Sequence, residues 1–379
     1  MARVWWAACI LCSVLAIGTA PAAADEPPPD RLTVGSENGY FRPGLLVQGW
    51  TLADFPVAGP GGEDAVTFRL RRTEFKIRGD IVPSWVSYEL MIDPAKVQEW
   101  TTVTIPVNHQ DPPPTDPATP ESVDVRQPTS PIAVLQDVRF ILRVPYANLH
   151  FGQFKIPVSL EGVSSSAALL FPERSPAARA YGDMRDIGLI FTYAWDWFSY
   201  TAGVFNGNGQ DRLDNDLDKD LALRLEAYPL AGLEAGKLTI GAVAYATVGE
   251  RVTGRERYEA DLRYEYAGLT VHGEFLYGRS IRTENDVTTI TPSLGAFGMI
   301  AYRLLDYELA ARFSYLDPNL DEEPAASNTL KTDELMQIDG GFNWYLAGNA
   351  AKVQLAYSRL QYDTVEAGNR LTLSVQGSF

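Results

Sequence analysis

The chain ends on Leu371-Thr-Leu-Ser-Val-Gln-Gly-Ser-Phe379, and this alternation constrains its fold more than any other stretch. Side chains of a strand point to opposite faces with period two. Leu371, Leu373, Val375 and Phe379 therefore share one face, and Thr372, Ser374, Gln376 and Ser378 share the other. In a soluble sheet the apolar face would meet a core. A strand of this kind that ends on an aromatic residue suits the wall of a closed membrane barrel, oily outside and wet inside.

The same period recurs along the chain. Read with turn residues as punctuation, it predicts sixteen strands near 40–53, 66–80, 84–93, 133–142, 146–154, 186–194, 197–206, 218–228, 237–247, 257–266, 269–279, 294–303, 306–316, 335–346, 350–361 and 368–379. Short links alternate with long ones, the rhythm of barrels with short periplasmic turns and long outer loops. In the tenth strand Tyr258, Ala260, Leu262, Tyr264 and Tyr266 oppose Glu259, Asp261, Arg263 and Glu265; in the thirteenth Tyr307, Leu309, Ala311, Phe313 and Tyr315 oppose Glu308 and Arg312. A charge on the lipid face near the midplane costs ~2–4 kcal/mol, so the charged rows are expected to point inward. No later segment offers the ~18 consecutive apolar residues of a spanning helix. A mean hydropathy of −0.12 is compatible with a barrel, whose lipid face is only every second residue.

These readings give an all-β chain, a transmembrane antiparallel β-barrel of 16 strands over residues 40–379, wide enough for an aqueous channel. Residues 1–24 read as a cleaved signal peptide (Arg3, an apolar stretch, then Ala22-Ala23-Ala24), and 25–39 as a periplasmic N-terminal segment. Cys9 and Cys12 both lie before residue 24, so the barrel is expected to stand without disulfides. Residues 94–132, with Pro112-Pro-Pro114, read as an extended or disordered outer loop. The stretch 155–185 is too long for a turn, and Leu169, Leu170 and Phe171 would be poorly placed in open water. It is expected to fold into the lumen as a constriction loop.

The second strand, Phe68-Arg-Leu-Arg-Arg-Thr-Glu-Phe-Lys-Ile-Arg78, is the most basic. Its alternation slips one residue between Leu70 and Phe75, which predicts a β-bulge at Arg71-Arg72. Arg69, Arg71, Arg72 and Lys76 are candidate anion-binding residues, because planar guanidiniums present forked donors to oxyanions. Lys155, Arg174, Arg179 and Arg185 are further candidates around the inserted loop. The competing reading is that these cations pair with wall carboxylates and brace the barrel.

Gly152-Gln-Phe-Lys-Ile-Pro-Val-Ser-Leu-Glu-Gly-Val-Ser-Ser165, followed by Phe171-Pro-Glu-Arg-Ser175, resembles the phosphate-selective porin O/P family. So do Arg185-Asp-Ile-Gly-Leu189, Gly203-Val-Phe-Asn-Gly207, Asn343-Trp-Tyr-Leu346, the arginine pair after Leu70 and the closing strand. The resemblance spans essentially the whole chain after residue 24. It implies a sixteen-stranded, trimeric, anion-conducting outer-membrane porin with Arg71 and Arg72 at the lumen or constriction. Gly162, where some members carry lysine, and Glu74 within the arginine strand depart from the pattern and put phosphate specificity in doubt. A general or sugar-type diffusion porin is the alternative. The implied partners are outer-membrane lipid, further copies of the chain, small anions such as phosphate, and the barrel-assembly machinery; no cofactor is implied.

Other readings are weaker. Asp214-Asn-Asp-Leu-Asp-Lys-Asp220 has Lys219 and Leu225 where a calcium loop requires Gly and Glu, so a solvated outer loop is expected. The three histidines, His109, His150 and His272, stand in no nucleophile or zinc motif, which argues against an outer-membrane enzyme. A formal charge of −16 argues against nucleic-acid binding.

Overall fold

The computed structural model describes residues 33–36, 39–55, 64–98, 100–106, 122–128, 134–214, 216–249, 255–284, 287–320, 334–362 and 368–379. The segment read as a signal peptide lies outside them. Sixteen antiparallel strands close into a ring. They are β1 (Gly39–Phe55), β2 (Ala65–Val82), β3 (Val86–Ile92), β4 (Leu135–Val144), β5 (Ala147–Lys155), β6 (Arg185–Ala194), β7 (Phe198–Phe205) and β8 (Lys219–Ala227). The second half comprises β9 (Lys237–Val248), β10 (Arg257–Tyr266), β11 (Leu269–Glu284), β12 (Val287–Leu304), β13 (Tyr307–Asp317), β14 (Leu335–Ala347), β15 (Ala351–Tyr362) and β16 (Gly368–Ser378). Each pairs with its chain neighbours, and β16 closes the ring on β1, with Ser378 opposite Leu46 and Asn369 opposite Phe55. Closure leaves no unpaired edge, the condition for a sheet to cross a bilayer.

The wall obeys the alternation read from the sequence. On β10 Glu259 and Asp261 are buried while Tyr258, Leu262 and Tyr266 are exposed; on β13 Glu308 and Arg312 are buried while Leu309 and Phe313 face out. The end that carries both the start of β1 and the end of β16 has tight hairpins. Ala267 and Gly268 hold φ of +48° and +85°, a turn whose twist matches that of the flanking strands. Aromatic rings gather at this end, as at an interfacial girdle: Tyr193 lies 4.8 Å from Trp195, and Tyr307 stacks 6.4 Å from Trp344.

Three expected boundaries differ. β11 and β12 run to Glu284 and from Val287, well past the loop predicted between 279 and 294, because Val287-Thr-Thr-Ile-Thr291 is a β-branched run that continues the ladder. The stretch 94–132 is not wholly irregular: a 3-10 turn, Pro94–Gln98, precedes a hairpin of Trp100–Pro106 and Ser122–Pro128 in a separate two-stranded sheet. Alternating Val and Ile among Thr supply its strand preference; residues 107–121, with the proline run, lie outside the described residues. Within 25–39, Val34–Ser36 pairs with β1.

Residues 156–184 leave the wall between β5 and β6 and fold into the lumen, carrying α1 (Leu160–Val163), a 3-10 turn at Ser166–Ala168 and α2 (Pro176–Tyr181). Ser159, Ser165 and Ser175 cap these turns, and Pro176 follows its cap at the position where a missing N–H costs nothing. The loop rests on an apolar patch of inner wall. Val158, Ala177, Ala178 and Tyr181 pack with Phe205, Leu276, Phe297 and Met299. A second cluster joins Phe171 to Ala301, Ala310 and Ala356. Gly341 belongs to it, since a Cβ there would sit 2.9 Å from the Phe171 ring. Leu169 and Phe171 thus find their burial inside the barrel, as their apolar character requires.

Candidate functional site in the lumen

The site begins with the register of β2. Gln48 pairs with Arg72 and Gly49 with Leu70, leaving Arg71 as the extra residue of a β-bulge. A bulge re-aims one side chain. Here it turns Arg71 and Arg72 inward together, while Phe68 and Leu70 before it and Phe75 after it face outward. Two adjacent guanidiniums on one face of a regular strand would be forbidden by the alternation.

Glu173, at the tip of the inserted loop, meets this pair. Arg71 donates to its Oε2 through Nε (2.8 Å) and Nη2 (2.7 Å), and Arg72 Nη2 donates to its Oε1 (3.0 Å). Arg72 Nη1 also donates to Gln48 Oε1 (2.6 Å). Burial alone would raise the Glu173 pKa, but Arg72 and then Arg71 more than reverse that and hold the carboxyl well below the usual carboxylate range. The indole of Trp50 stacks behind: Arg71 lies 5.5 Å and Arg69 5.9 Å from its ring.

Between this corner and β13–β16 the loop leaves a cavity of about 460 Å³. Six guanidiniums line it, from Arg69, Arg71, Arg174, Arg179, Arg312 and Arg370, against three carboxylates, from Asp54, Glu173 and Asp339. Trp50, Leu52, Phe171, Pro172 and Leu360 supply its apolar surface. Arg312 donates to Asp339 Oδ2 (2.8 Å) and to the Glu173 carbonyl (3.0 Å), and its guanidinium stacks 4.5 Å over Phe171. Arg370, near the rim, pairs with Asp54 at 2.5 Å.

The opposite flank of the loop uses carboxylates of the wall. Glu259 accepts from the backbone N–H of Ser159 (2.5 Å) and of Leu160 (3.2 Å). Glu274 accepts from Ser159 Oγ and from the Glu161 N–H, both at 2.6 Å. Arg224 neutralises the row further, reaching Asp261 at 2.7 Å and Glu259 at 3.4 Å. Along the third side the loop carbonyls are received by the wall: Lys352 Nζ donates to Leu169 O (2.7 Å) and Asn343 Nδ2 to Leu170 O (2.9 Å).

The eight candidate residues therefore separate. Arg69, Arg71, Arg174 and Arg179 border the cavity, and Arg72 stands directly behind Glu173. Lys76 lies farther down β2, opposite Gly44 and away from the cavity. Lys155 and Arg185 sit at the two roots of the loop in ion pairs, Lys155 with Asp183 (2.9 Å) and Arg185 with Asp137 (2.9 Å), and do not border the cavity. Arg174, although at its edge, is also a staple, donating to the carbonyls of Glu161 (3.0 Å) and Ser164 (2.6 Å). Asp183 collects Lys155, Arg174 and Arg179; burial opposes its charge, but these three cations hold its carboxyl well below the usual range. The bracing reading thus describes Lys155 and Arg185. Arg312, Arg370 and the counter-ion Glu173 were not among the candidates, and the inward row of β13 was the sequence signal for Arg312.

The family model for phosphate-selective porins O and P matches residues 50–266. No curated protein matches the chain. Among solved structures it is similar to the outer-membrane channel DcaP of Acinetobacter baumannii, with a TM-score of 0.59 at 11% identity over 91% of this chain and 99% of that one. It is similar to the anion-selective porin of Comamonas acidovorans, with a TM-score of 0.54 at 9% identity over 90% and 100%. The trimer form of OmpT from Vibrio cholerae gives a TM-score of 0.55 at 11% identity over 90% and 100%. At these identities the structural likeness establishes the barrel fold.

Proposed function

This chain belongs to the family of phosphate-selective porins O and P, an outer-membrane channel rather than an enzyme, and from that premise we propose that it passes small anions by diffusion through the arginine-lined vestibule. The observation that carries the reading is the charge of that vestibule, six guanidiniums to three carboxylates, in a chain whose overall charge is negative. A cavity with low-dielectric walls focuses such a field and raises the local concentration of the opposite ion. The combined field of the lining arginines draws an anion in, donors at the cavity surface such as Arg69 replace part of its hydration shell, and partial neutralisation keeps binding weak enough for release. Of the carboxylates behind the lining, Glu259, Glu274 and Asp261 are engaged by loop amides and by Arg224, while Asp183 pairs with Arg174 and Arg179 and offsets part of their charge. Lys76, below the bulge, extends the basic row along the same strand. Chloride and phosphate are the expected solutes. A homotrimer, the form in which the similar Vibrio barrel occurs, is the expected assembly, with lipid around it and the aromatic C-terminal strand as the feature read by barrel-assembly machinery.

The test is the zero-current potential of single channels in a planar bilayer under a KCl gradient. A chloride-directed potential that shrinks in Arg69→Ala and Arg71→Ala supports the proposal. A potassium-directed potential would favour the general diffusion porin instead.

A further inference from the structure

The paired guanidiniums of Arg71 and Arg72 are occupied by the protein itself. Their side chains are only 4% and 5% exposed, whereas Glu173, which covers them, is 32% exposed and borders the cavity. Water and solutes thus meet the carboxylate before they meet the arginines. The contact has the form of a bound oxyanion: a side-on pair of bonds from Arg71 to one oxygen and a bond from Arg72 to the other. One donor remains over, since Arg71 Nη1 is buried without an acceptor. A carboxylate has two oxygens and leaves that donor unmatched; a tetrahedral oxyanion has more to offer.

We infer that Glu173 is a tethered competitor that sets the pore's selectivity: a permeating oxyanion reaches Arg71 and Arg72 only by displacing the Glu173 carboxylate. This rests on reading the vestibule as the anion path. The competitor costs nothing in diffusion, because a group held by a short segment acts at an effective concentration of about a millimolar or more. Anions below that level pass without settling on the arginine pair. Chloride, which needs no forked donors, is attracted by the remaining field of Arg69, Arg179 and Arg370, while phosphate is denied a tight site. The pore is then anion-preferring yet fast, and its phosphate affinity is set by one glutamate and not by how many arginines the wall carries. The loop stays in place during displacement, because its other anchors, the Ser159 and Glu161 amides on Glu259 and Glu274 and the Leu169 carbonyl on Lys352, do not involve Glu173.

The experiment compares wild type, Glu173→Gln and Glu173→Gln with Arg71→Gln in planar bilayers. It reads the zero-current potential, the unit conductance in KCl and the block of chloride current by inorganic phosphate. In Glu173→Gln the half-blocking phosphate concentration is expected to fall about tenfold or more, conductance in phosphate-free KCl to rise only modestly as the vestibule loses one carboxylate, and the double variant should lose the added phosphate sensitivity. Unchanged or weaker block at normal conductance would overturn the inference. So would a large rise in conductance, which would make Glu173 an anchor of the loop and not an occupant of the site. A potassium-directed potential in wild type would instead overturn the underlying reading of the vestibule.

Discussion

The two flanks of the inserted loop are held by the same interaction with its polarity reversed. At Ser159–Glu161 the loop supplies N–H donors and the wall supplies the carboxylates of Glu259 and Glu274. At Glu173 the loop supplies the carboxylate and the wall supplies Arg71 and Arg72. The first flank sits on an apolar floor and is closed; the second opens on a cavity. A charge facing the lumen is therefore not automatically a charge felt by a solute. The acidic row of β10 and β11 is absorbed by loop amides and Arg224, while the basic corner is covered by one carboxylate that itself faces the cavity.

Breaking the closed flank should have the largest effect. Glu259→Leu with Glu274→Leu leaves the Ser159, Leu160 and Glu161 donors without acceptors, at about 1–3 kcal/mol for each buried group. The loop should leave the wall, seen as a several-fold rise in unit conductance and as new protease cleavage within 156–184 in folded, heat-modifiable barrels. Tyr181→Ala removes the largest side chain that the loop packs onto the apolar floor, an expected loss of about 3–5 kcal/mol in loop docking. Flickering current without loss of the barrel would register it.

On the open flank, Arg72→Ala leaves Glu173 with one arginine. The chloride preference should fall several-fold in the zero-current potential, and the barrel's thermal stability should change little because the β2 ladder is intact. Acid probes the same contact. The carboxyls of Glu173 and Asp183 are held below their ordinary values, so their stabilising pairs are complete above the usual carboxylate pKa of about 4.5 and are lost only as pH falls toward the depressed values. The part of the conductance that depends on Glu173, read as the difference between wild type and Glu173→Gln, should hold from about pH 8 to pH 5 and change below about pH 3. The smallest effect is expected at the rim, where Arg370→Ala breaks an exposed pair with Asp54 worth about 0–1 kcal/mol. It should trim the anion preference slightly and leave stability alone.

The contrast also marks what the sequence makes legible. Period two and the alternation of link lengths carry the barrel, because a lipid face and a water face leave a one-dimensional trace in every strand. The phase slip after Leu70 marks the bulge, and Leu169 to Phe171 mark the loop as one that must be buried. The partners of those features leave no such trace. Glu173 lies about a hundred residues from Arg71, and the amides that neutralise Glu259 and Glu274 are backbone groups, which any sequence would supply. Counting inward acids against inward bases treats both flanks alike, and only the fold shows which acids are already engaged. The β-branched run at 287–291 carries β11 and β12 beyond the expected loop between 279 and 294, because pairing with a neighbouring strand and not period two alone sets where a strand ends.

The most direct test of this asymmetry places a single reporter thiol in the barrel of a chain whose two cysteines, Cys9 and Cys12, are both replaced by serine. Leu360→Cys places it on the open cavity and Ala177→Cys on the closed flank. The rate of modification by anionic and by cationic thiosulfonates of similar size is then read from the current of single channels. The account predicts fast reaction at position 360, with the anionic reagent ahead by an order of magnitude or more, and negligible reaction at 177. Equal rates at the two positions, or a cationic reagent ahead at 360, would contradict it.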